Sequence, residues 1–142
     1  MHYILWALLG MVGYSAVTLL VKLAARTGDF SAFAVLAIAT SIVALAAVVN
    51  AWVGGSFAEK SAGDFVKPGA FYSYAAGIAL TVAVGSLFKA LSVGPASIVV
   101  PIYGMFIVGG ALLGVLILGE PMTLKHILGL TLAVAGVLLV AT

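Results

Sequence analysis

The most constraining feature of this sequence is a set of five long apolar runs separated by short polar segments. About 20 apolar residues, at 1.5 Å per residue, cross the roughly 30 Å hydrocarbon core of a membrane. Lipid offers no hydrogen-bonding partner to an open backbone, so each run is predicted to be a helix. The expected fold is an all-α integral membrane protein with five transmembrane helices. Their approximate bounds are Ile4–Ala24, Ser31–Val53, Ala70–Leu91, Pro95–Leu118 and Thr123–Ala141.

Composition excludes several classes of function. Of the 142 residues, 65% are hydrophobic and 7% are charged, whereas soluble domains carry about 25% charged residues. With no cysteine and a net charge of +2, neither a thiolate metal site nor a surface for nucleic acid is expected. The sequence also lacks a Gly-rich phosphate loop ending in Lys-Ser/Thr. We therefore expect one transmembrane domain over residues 1–142, with no cofactor, no metal and no enzymatic activity.

The Lys and Arg residues give no preferred orientation in the membrane. Orientation normally follows the excess of these residues in the short loops on one side. One interpretation is dual topology, in which two copies insert in opposite directions and pair as an antiparallel homodimer. The alternative is that Lys22 and Lys89 lie too deep to count, which would place the N-terminus inside. The two sides carry three basic residues each, namely Lys60, Lys67 and Lys125 beside the N-terminus, and Lys22, Arg26 and Lys89 opposite.

The first span carries a polar stripe. At 100° per residue, one face collects Met11, Tyr14, Ser15, Thr18 and Lys22. Hydroxyl groups on a face that ends in an ammonium group predict the lining of a site for an anionic or carboxylate-bearing solute. A charge inside the membrane is costly and points to function. The alternative is that Lys22 lies near the helix end and extends its ammonium group to the lipid headgroups.

The fourth span contains a proline well inside it. Pro95 suits a helix start, because the amide it lacks would have no partner there. Pro101 removes the amide that would bond to the Ser97 carbonyl, and its ring crowds that turn. We predict a kink between Ser97 and Gly104, beside Tyr103, that exposes a carbonyl group at the solute site and acts as a hinge. The alternative is a packing kink of the sort that membrane helices tolerate.

Small and polar residues mark the other spans. Thr81 lies on a mildly polar stripe of the third span and is a further candidate for the solute site, and a close-packed seam between helices explains this stripe equally well. Glu120 is expected to complement the positive end of the fifth helix, and Thr123 to cap it. Glycine pairs allow helices to approach closely. The predicted helix-packing glycines are Gly110 and Gly114 on the fourth span and Gly129 and Gly136 on the fifth.

Three stretches resemble the EamA domain of the drug/metabolite transporter superfamily. They are residues 90–97 (ALSVGPAS) with the following Pro101, residues 118–121 (LGEP), and residues 129–138 with their Ala-Gly-Val-Leu end. The resemblance covers essentially the whole chain and is densest from about Ala75 onward. It implies a transporter that works by alternating access through a central cavity. Most such proteins carry two inverted five-helix repeats, and this chain resembles the single-repeat members, which are thought to work as antiparallel pairs.

The resemblance does not extend to every activity in the superfamily. The small multidrug resistance relatives use a glutamate in their first helix, whereas the first span here carries Lys22 and no acidic residue. This difference argues against proton-coupled export of cationic drugs. We expect a homodimeric secondary transporter of the cytoplasmic membrane, in contact with membrane lipid, for a small amino-acid-like or other amphipathic solute. The alternatives are a flippase for a lipid or lipid-linked sugar, and a non-transporting subunit that assembles with another protein.

Overall fold

The fold is built from helices joined by short connections. The computed structural model describes residues 2–141, without the side chain of His2. Within this part of the chain there is no β-strand. The α-helices are α1 (His2–Thr27), α2 (Ala32–Val53), α3 (Pro68–Val93), α4 (Ala96–Gly104), α5 (Phe106–Leu118) and α6 (Leu124–Ala141).

Within residues 2–141, five helical stretches are long and apolar enough to cross a membrane, which confirms the predicted number of spans. The helices α1, α2, α3 and α6 supply one each, and α4 with α5 supplies the fourth. Some helices extend past the apolar runs, since α1 continues through Arg26 and α3 begins at Pro68. Proline is well suited to that first position, because it has no amide to leave unpaired. Hydropathy therefore locates the centre of each helix, while polar residues and prolines set its ends.

The fourth span is interrupted at Met105. The predicted irregularity of this span is therefore present, but the break falls just beyond the predicted segment. The Met105 amide donates to the Ile102 carbonyl at 3.1 Å, and the Val108 amide donates to the Met105 carbonyl at 3.0 Å. The bond to Ile102 reaches back three residues, so the turn that ends α4 is tighter than in an α-helix. On the other side, the Met105 carbonyl also accepts from the Gly109 amide at 3.2 Å, which is the regular spacing of an α-helix.

The longest connection, residues 54–67, contains a short 3-10 helix, Ala62–Val66. The backbone amide and the hydroxyl of Ser61 both donate to the Asp64 carboxylate, at 2.8 and 3.1 Å. Asp64 also pairs with the Lys67 ammonium group. This contact with Lys67, followed by the two bonds from Ser61, holds the pKa of Asp64 below its ordinary value. The sequence predicted only a loop here, because such a short helix has no apolar period.

The chain divides into two compact units. The core unit is Leu20–Ser92, and the terminal unit combines Met1–Leu19 with Val93–Thr142. The first part of α1 therefore belongs to the terminal unit and its last part to the core unit.

The core unit contains the buried apolar side chains of the described residues. They are Val21 on α1 and Leu87, Phe88 and Leu91 on α3. Leu87 and Leu91 are four residues apart and share one face of α3. In the terminal unit, α4 packs against α6, and Gly114 is buried. Lipid tails are as apolar as leucine, so packing and polar contacts, more than removal of apolar surface from water, hold such helices together.

Candidate functional site

The predicted solute-site residues fall in both units. Lys22 and Thr81 lie in the core unit. The terminal unit holds the other six, which are Tyr14, Ser15, Thr18, Ser97, Pro101 and Tyr103. Most of the predicted site is therefore carried by α1 and α4 within the terminal unit.

Tyr14 of α1 and Tyr103 of α4 are brought together. Their phenol groups lie close enough to interact electrostatically. The Tyr103 ring also packs edge-on against Phe106, with ring centroids 5.8 Å apart. When two such hydroxyl groups bond to each other, one donates and the other accepts, so one O–H group remains available to donate to a solute.

The smaller hydroxyl groups bond to their own helices. Ser15 Oγ donates to the Met11 carbonyl at 2.9 Å, and Thr18 Oγ1 donates to the Ser15 carbonyl at 2.8 Å. In the core unit, Thr81 Oγ1 donates to the Gly77 carbonyl at 2.9 Å. Each hydroxyl hydrogen is thereby used, while the oxygen lone pairs remain. In this arrangement these side chains can offer a solute acceptors but not donors.

The break in the fourth span deprives two backbone carbonyl groups of their usual amide partners. Pro101 has no N–H for the Ser97 carbonyl, and no side-chain donor replaces it among the described residues. The Met105 amide donates to Ile102, so the Pro101 carbonyl loses its usual partner as well. The carbonyl groups of Ser97 and Pro101 are four residues apart and lie on one face of α4. Backbone carbonyls at such breaks can bind cations in membrane transporters.

Lys22 has a backbone partner within the core unit. Its ammonium group donates to the Leu91 carbonyl at 2.8 Å, and the residue is half-buried. Leu91 lies in the last turn of α3, where carbonyl groups lack amide partners within the helix. The residue four positions on is Pro95, which has no amide hydrogen. A cation there is also stabilised by the negative end of the helix dipole. The solute role of Lys22 stays a prediction, and the structure adds a role as a cap of α3.

Three of the four predicted helix-packing glycines face open space within the chain. A Cβ added at Gly110, Gly129 or Gly136 would meet no atom of another described residue within 4 Å outside its own helix backbone. Gly114 differs, because it is buried and a Cβ there would lie 2.8 Å from Oε2 of Glu120. The faces that carry the other three glycines are therefore open to lipid or to a second molecule.

A cleft of about 500 Å³ lies between α5 and α6 in the terminal unit. Glu120, Lys125 and His126 line it where the two helices are connected. Sequence reasoning missed this cleft, because it assigned Glu120 only to the start of the fifth helix and considered each helix face alone. The apolar walls are formed by Ile107, Ala111 and Val115 of α5 and by Gly129, Leu130 and Ala133 of α6.

The connection beside the cleft is held by caps on both helices. The predicted cap of the fifth span is confirmed, since Thr123 Oγ1 accepts a hydrogen bond from the His126 amide at 3.4 Å. At the end of α5, Gly119 adopts a left-handed conformation with φ 68°, which favours glycine. The Glu120 amide then donates back to the Gly114 carbonyl at 3.2 Å. These bonds fix where α5 ends and where α6 begins, on either side of the connection that carries Glu120.

Comparison with known proteins identifies a family. Residues 1–142 match the model of the EamA-like transporter family. No match was found among curated proteins or among solved structures. Among the described residues, no cluster of three or more His, Asp or Glu side chains could hold a metal ion. The family match and the five apolar helices support a multi-pass membrane protein with a transporter-like function.

Proposed function

This chain belongs to the EamA-like transporter family, and we propose that it is one subunit of a secondary transporter for a small amino-acid-like metabolite. The family match over residues 1–142 is the observation that carries the proposal. In the proposed mechanism, two copies form a homodimer in the cytoplasmic membrane, and the solute crosses by alternating access.

The terminal unit offers groups that suit both ends of an amino acid. The available hydroxyl of the Tyr14–Tyr103 pair would donate to the carboxylate. The carbonyl groups of Ser97 and Pro101 would accept hydrogen bonds from the ammonium group. Hydrogen bonds to charged groups are stronger than neutral ones, and more so where water is excluded. A solute with both charges suits this set better than a simple anion or a simple cation.

The break at Met105 supplies the proposed hinge. Hinges in proteins are a few residues that absorb a change of backbone angle between two rigid elements. Because Ser97 and Pro101 lie on α4 and not on α5, a change of angle at Met105 would move the solute-binding carbonyl groups relative to the rest of the span.

Two copies are proposed because inverted repeats give a transporter its two alternating states, and in the proposal each copy provides one repeat. The equal numbers of Lys and Arg residues on the two sides support insertion in both orientations. The open faces at Gly110 and Gly136 support close approach of helices from two copies.

Transport by the purified protein in proteoliposomes tests this function. Vesicles loaded with unlabelled amino acids should take up labelled amino acids by counterflow, and vesicles loaded with the matching carboxylates without an amine should not. Tyr103→Phe should lower uptake about tenfold, the loss expected for one hydrogen bond to a charged group.

The matched control is Tyr72→Phe, because Tyr72 is 78% exposed on α3. This variant should transport at the wild-type rate. Equal counterflow with the amine-free carboxylates would overturn the proposed substrate class. If no small metabolite is taken up at all, the chain is not a solute transporter.

A further inference from the structure

The cleft between α5 and α6 runs from the connection of these two helices along the length of α5. Its wall on α5 consists of Val115, Ala111 and Ile107, spaced four residues apart on one face. Ile107 lies about 16 Å from the end of α5 at Leu118, from the rise of 1.5 Å per residue. That depth is roughly half of the hydrocarbon core. The cleft thus combines a mouth at helix ends with apolar walls at the depth of lipid tails.

The mouth carries one acidic and one basic side chain, and neither has a partner among the described residues. Glu120 and Lys125 both line the cleft, and among the described residues neither side chain has a hydrogen bond or an ion pair. His126 lies beside them, and its Nδ1 accepts a long bond of 3.5 Å from the Thr123 amide. A neutral ring in that arrangement carries its hydrogen on Nε2 and can donate it. The mouth therefore presents donors on α6 and an acceptor on the preceding connection.

We propose that this cleft binds a phospholipid whose headgroup carries both a phosphate and a primary amine. Lys125 and His126 would bind the phosphate, and Glu120 would accept hydrogen bonds from the ammonium group. One acyl chain would lie between α5 and α6. The site uses none of the residues of the proposed solute site, so lipid binding can be measured whether or not the protein transports a solute.

The charges and the walls together select this occupant. An anionic phospholipid without an amine could still place its phosphate at Lys125, but it would bring negative charge beside Glu120 with no ammonium group to pair with that carboxylate. A soluble zwitterion would satisfy the mouth but leave the apolar walls uncovered. A volume of about 500 Å³ is within the range of sites that take small ligands, and is ample for part of one lipid.

Native mass spectrometry of the purified chain measures this binding directly. Phosphatidylethanolamine should be retained about tenfold better than phosphatidylglycerol. Lys125→Gln should lower phosphatidylethanolamine binding about tenfold, the loss expected for one charge-assisted contact. Glu120→Gln should remove the preference between the two lipids. Ala133→Leu should fill the cleft and weaken the binding of both lipids without any change in charge.

Two control variants lie outside the cleft. Lys60→Gln removes a charge from the longest connection, and Ala76→Leu adds the same volume to an exposed position of α3. Both should bind lipid as the wild type does. Thermal unfolding of each variant checks its folding. Lys125→Gln removes a charge and Ala133→Leu fills the cleft, so the proposal can still be tested if one of these two variants does not fold.

Three results would overturn the proposal. The first is equal retention of phosphatidylglycerol and phosphatidylethanolamine by the wild type. The second is competition by free phosphoethanolamine as strong as that by the intact lipid, since the apolar walls would then play no part. The third is a dimer that dissociates in Ala133→Leu while lipid binding is unchanged, which would assign the cleft to a second copy of the chain.

Discussion

Two prolines, Pro95 and Pro101, create the same backbone defect with different outcomes. Each lacks the amide that a carbonyl group four residues earlier would use. At Leu91 the ammonium group of Lys22 takes the place of that amide, at 2.8 Å. At Ser97 no side-chain donor does so among the described residues.

The difference distinguishes a structural irregularity from a functional one. In lipid, a carbonyl group without a partner costs free energy, because no water replaces the missing donor. The defect at Leu91 is compensated within the chain and lies beside its buried side chains. The defect at Ser97 lies in a span that breaks at Met105. We interpret the second defect as a position where a solute completes the hydrogen bonding.

The largest effect is expected from Pro101→Ala. Alanine restores the N–H for Ser97 and removes the ring, so α4 and α5 should join into one helix. Proline is about 3 kcal/mol less favourable than alanine inside a helix, so the unfolding temperature in detergent should rise. Counterflow should fall at least about tenfold, because binding by the open carbonyl group is lost.

Pro68→Ala is the matched control for this variant. Pro68 is the first residue of α3, where proline costs little, so both stability and transport should change little. Wild-type counterflow by Pro101→Ala would show that the break has no part in transport.

The next effect concerns Lys22→Met, which keeps the apolar stem but removes the donor to Leu91. The free energy of unfolding should fall by about 1.5–3 kcal/mol, because a partly buried carbonyl loses a charged partner. Lys89→Met, at an exposed position of α3, should unfold like the wild type. Loss of transport by Lys22→Met with unchanged stability would instead place Lys22 in the solute site, and the two proline defects would no longer differ in kind.

A smaller effect is expected from the tyrosine pair beside the open defect. In a double-mutant cycle, Tyr14→Phe and Tyr103→Phe should show a coupling of about 1 kcal/mol in unfolding free energy, the usual value of one hydrogen bond. The cycle of Tyr14→Phe with Tyr72→Phe should be additive. Additivity in both cycles would mean that Tyr14 and Tyr103 do not interact, and that the polar wall proposed for the solute does not form.

The smallest effect is expected where water can replace a lost partner. Asp64 bonds to Ser61 and Lys67 in the longest connection, outside the spans, so Asp64→Asn should leave global unfolding unchanged. Because the folded protein lowers the pKa of Asp64, the contact should persist at a pH where an ordinary aspartate is protonated. It should be lost only as the pH falls through the lowered pKa.

Hydrogen exchange of the Ser61 amide measures this contact. Exchange of this amide should be faster in Asp64→Asn than in the wild type. In the wild type the protection should be lost only when the pH falls below the lowered pKa of Asp64. If Asp64→Asn destabilised the whole protein as much as Lys22→Met, the argument that lipid makes the loss of the contact at Leu91 costly would fail.

Much of the fold could be predicted from local pattern. The apolar runs located five helices, and Thr123 was identifiable as a cap because threonine at a helix start accepts a nearby amide. Pro101 indicated an irregular fourth span. The position of the break could not be predicted, because it depends on which carbonyl group accepts from the Met105 amide once Pro101 has interrupted the regular helical hydrogen bonds.

The candidate site was less accessible to sequence reasoning. The contact between Lys22 and the Leu91 carbonyl joins residues 69 positions apart, and no local pattern specifies that pairing. The lipid-sized cleft likewise depends on α5 and α6 lying side by side, which brings Glu120 and Lys125 to one mouth. In contrast, Tyr14 and Tyr103 were both selected as polar residues on apolar helices, and the fold brings them together.

Accessibility labelling in intact cells tests most directly whether two inverted copies make the transporter. Ser56→Cys and Phe30→Cys place single cysteines in exposed connections on either side of α2, and the wild-type chain has no cysteine. With an impermeant maleimide, dual topology predicts that about half of each variant is labelled, by the equal count of Lys and Arg on the two sides. Complete labelling of one variant and none of the other would mean a single orientation and would contradict the inverted homodimer.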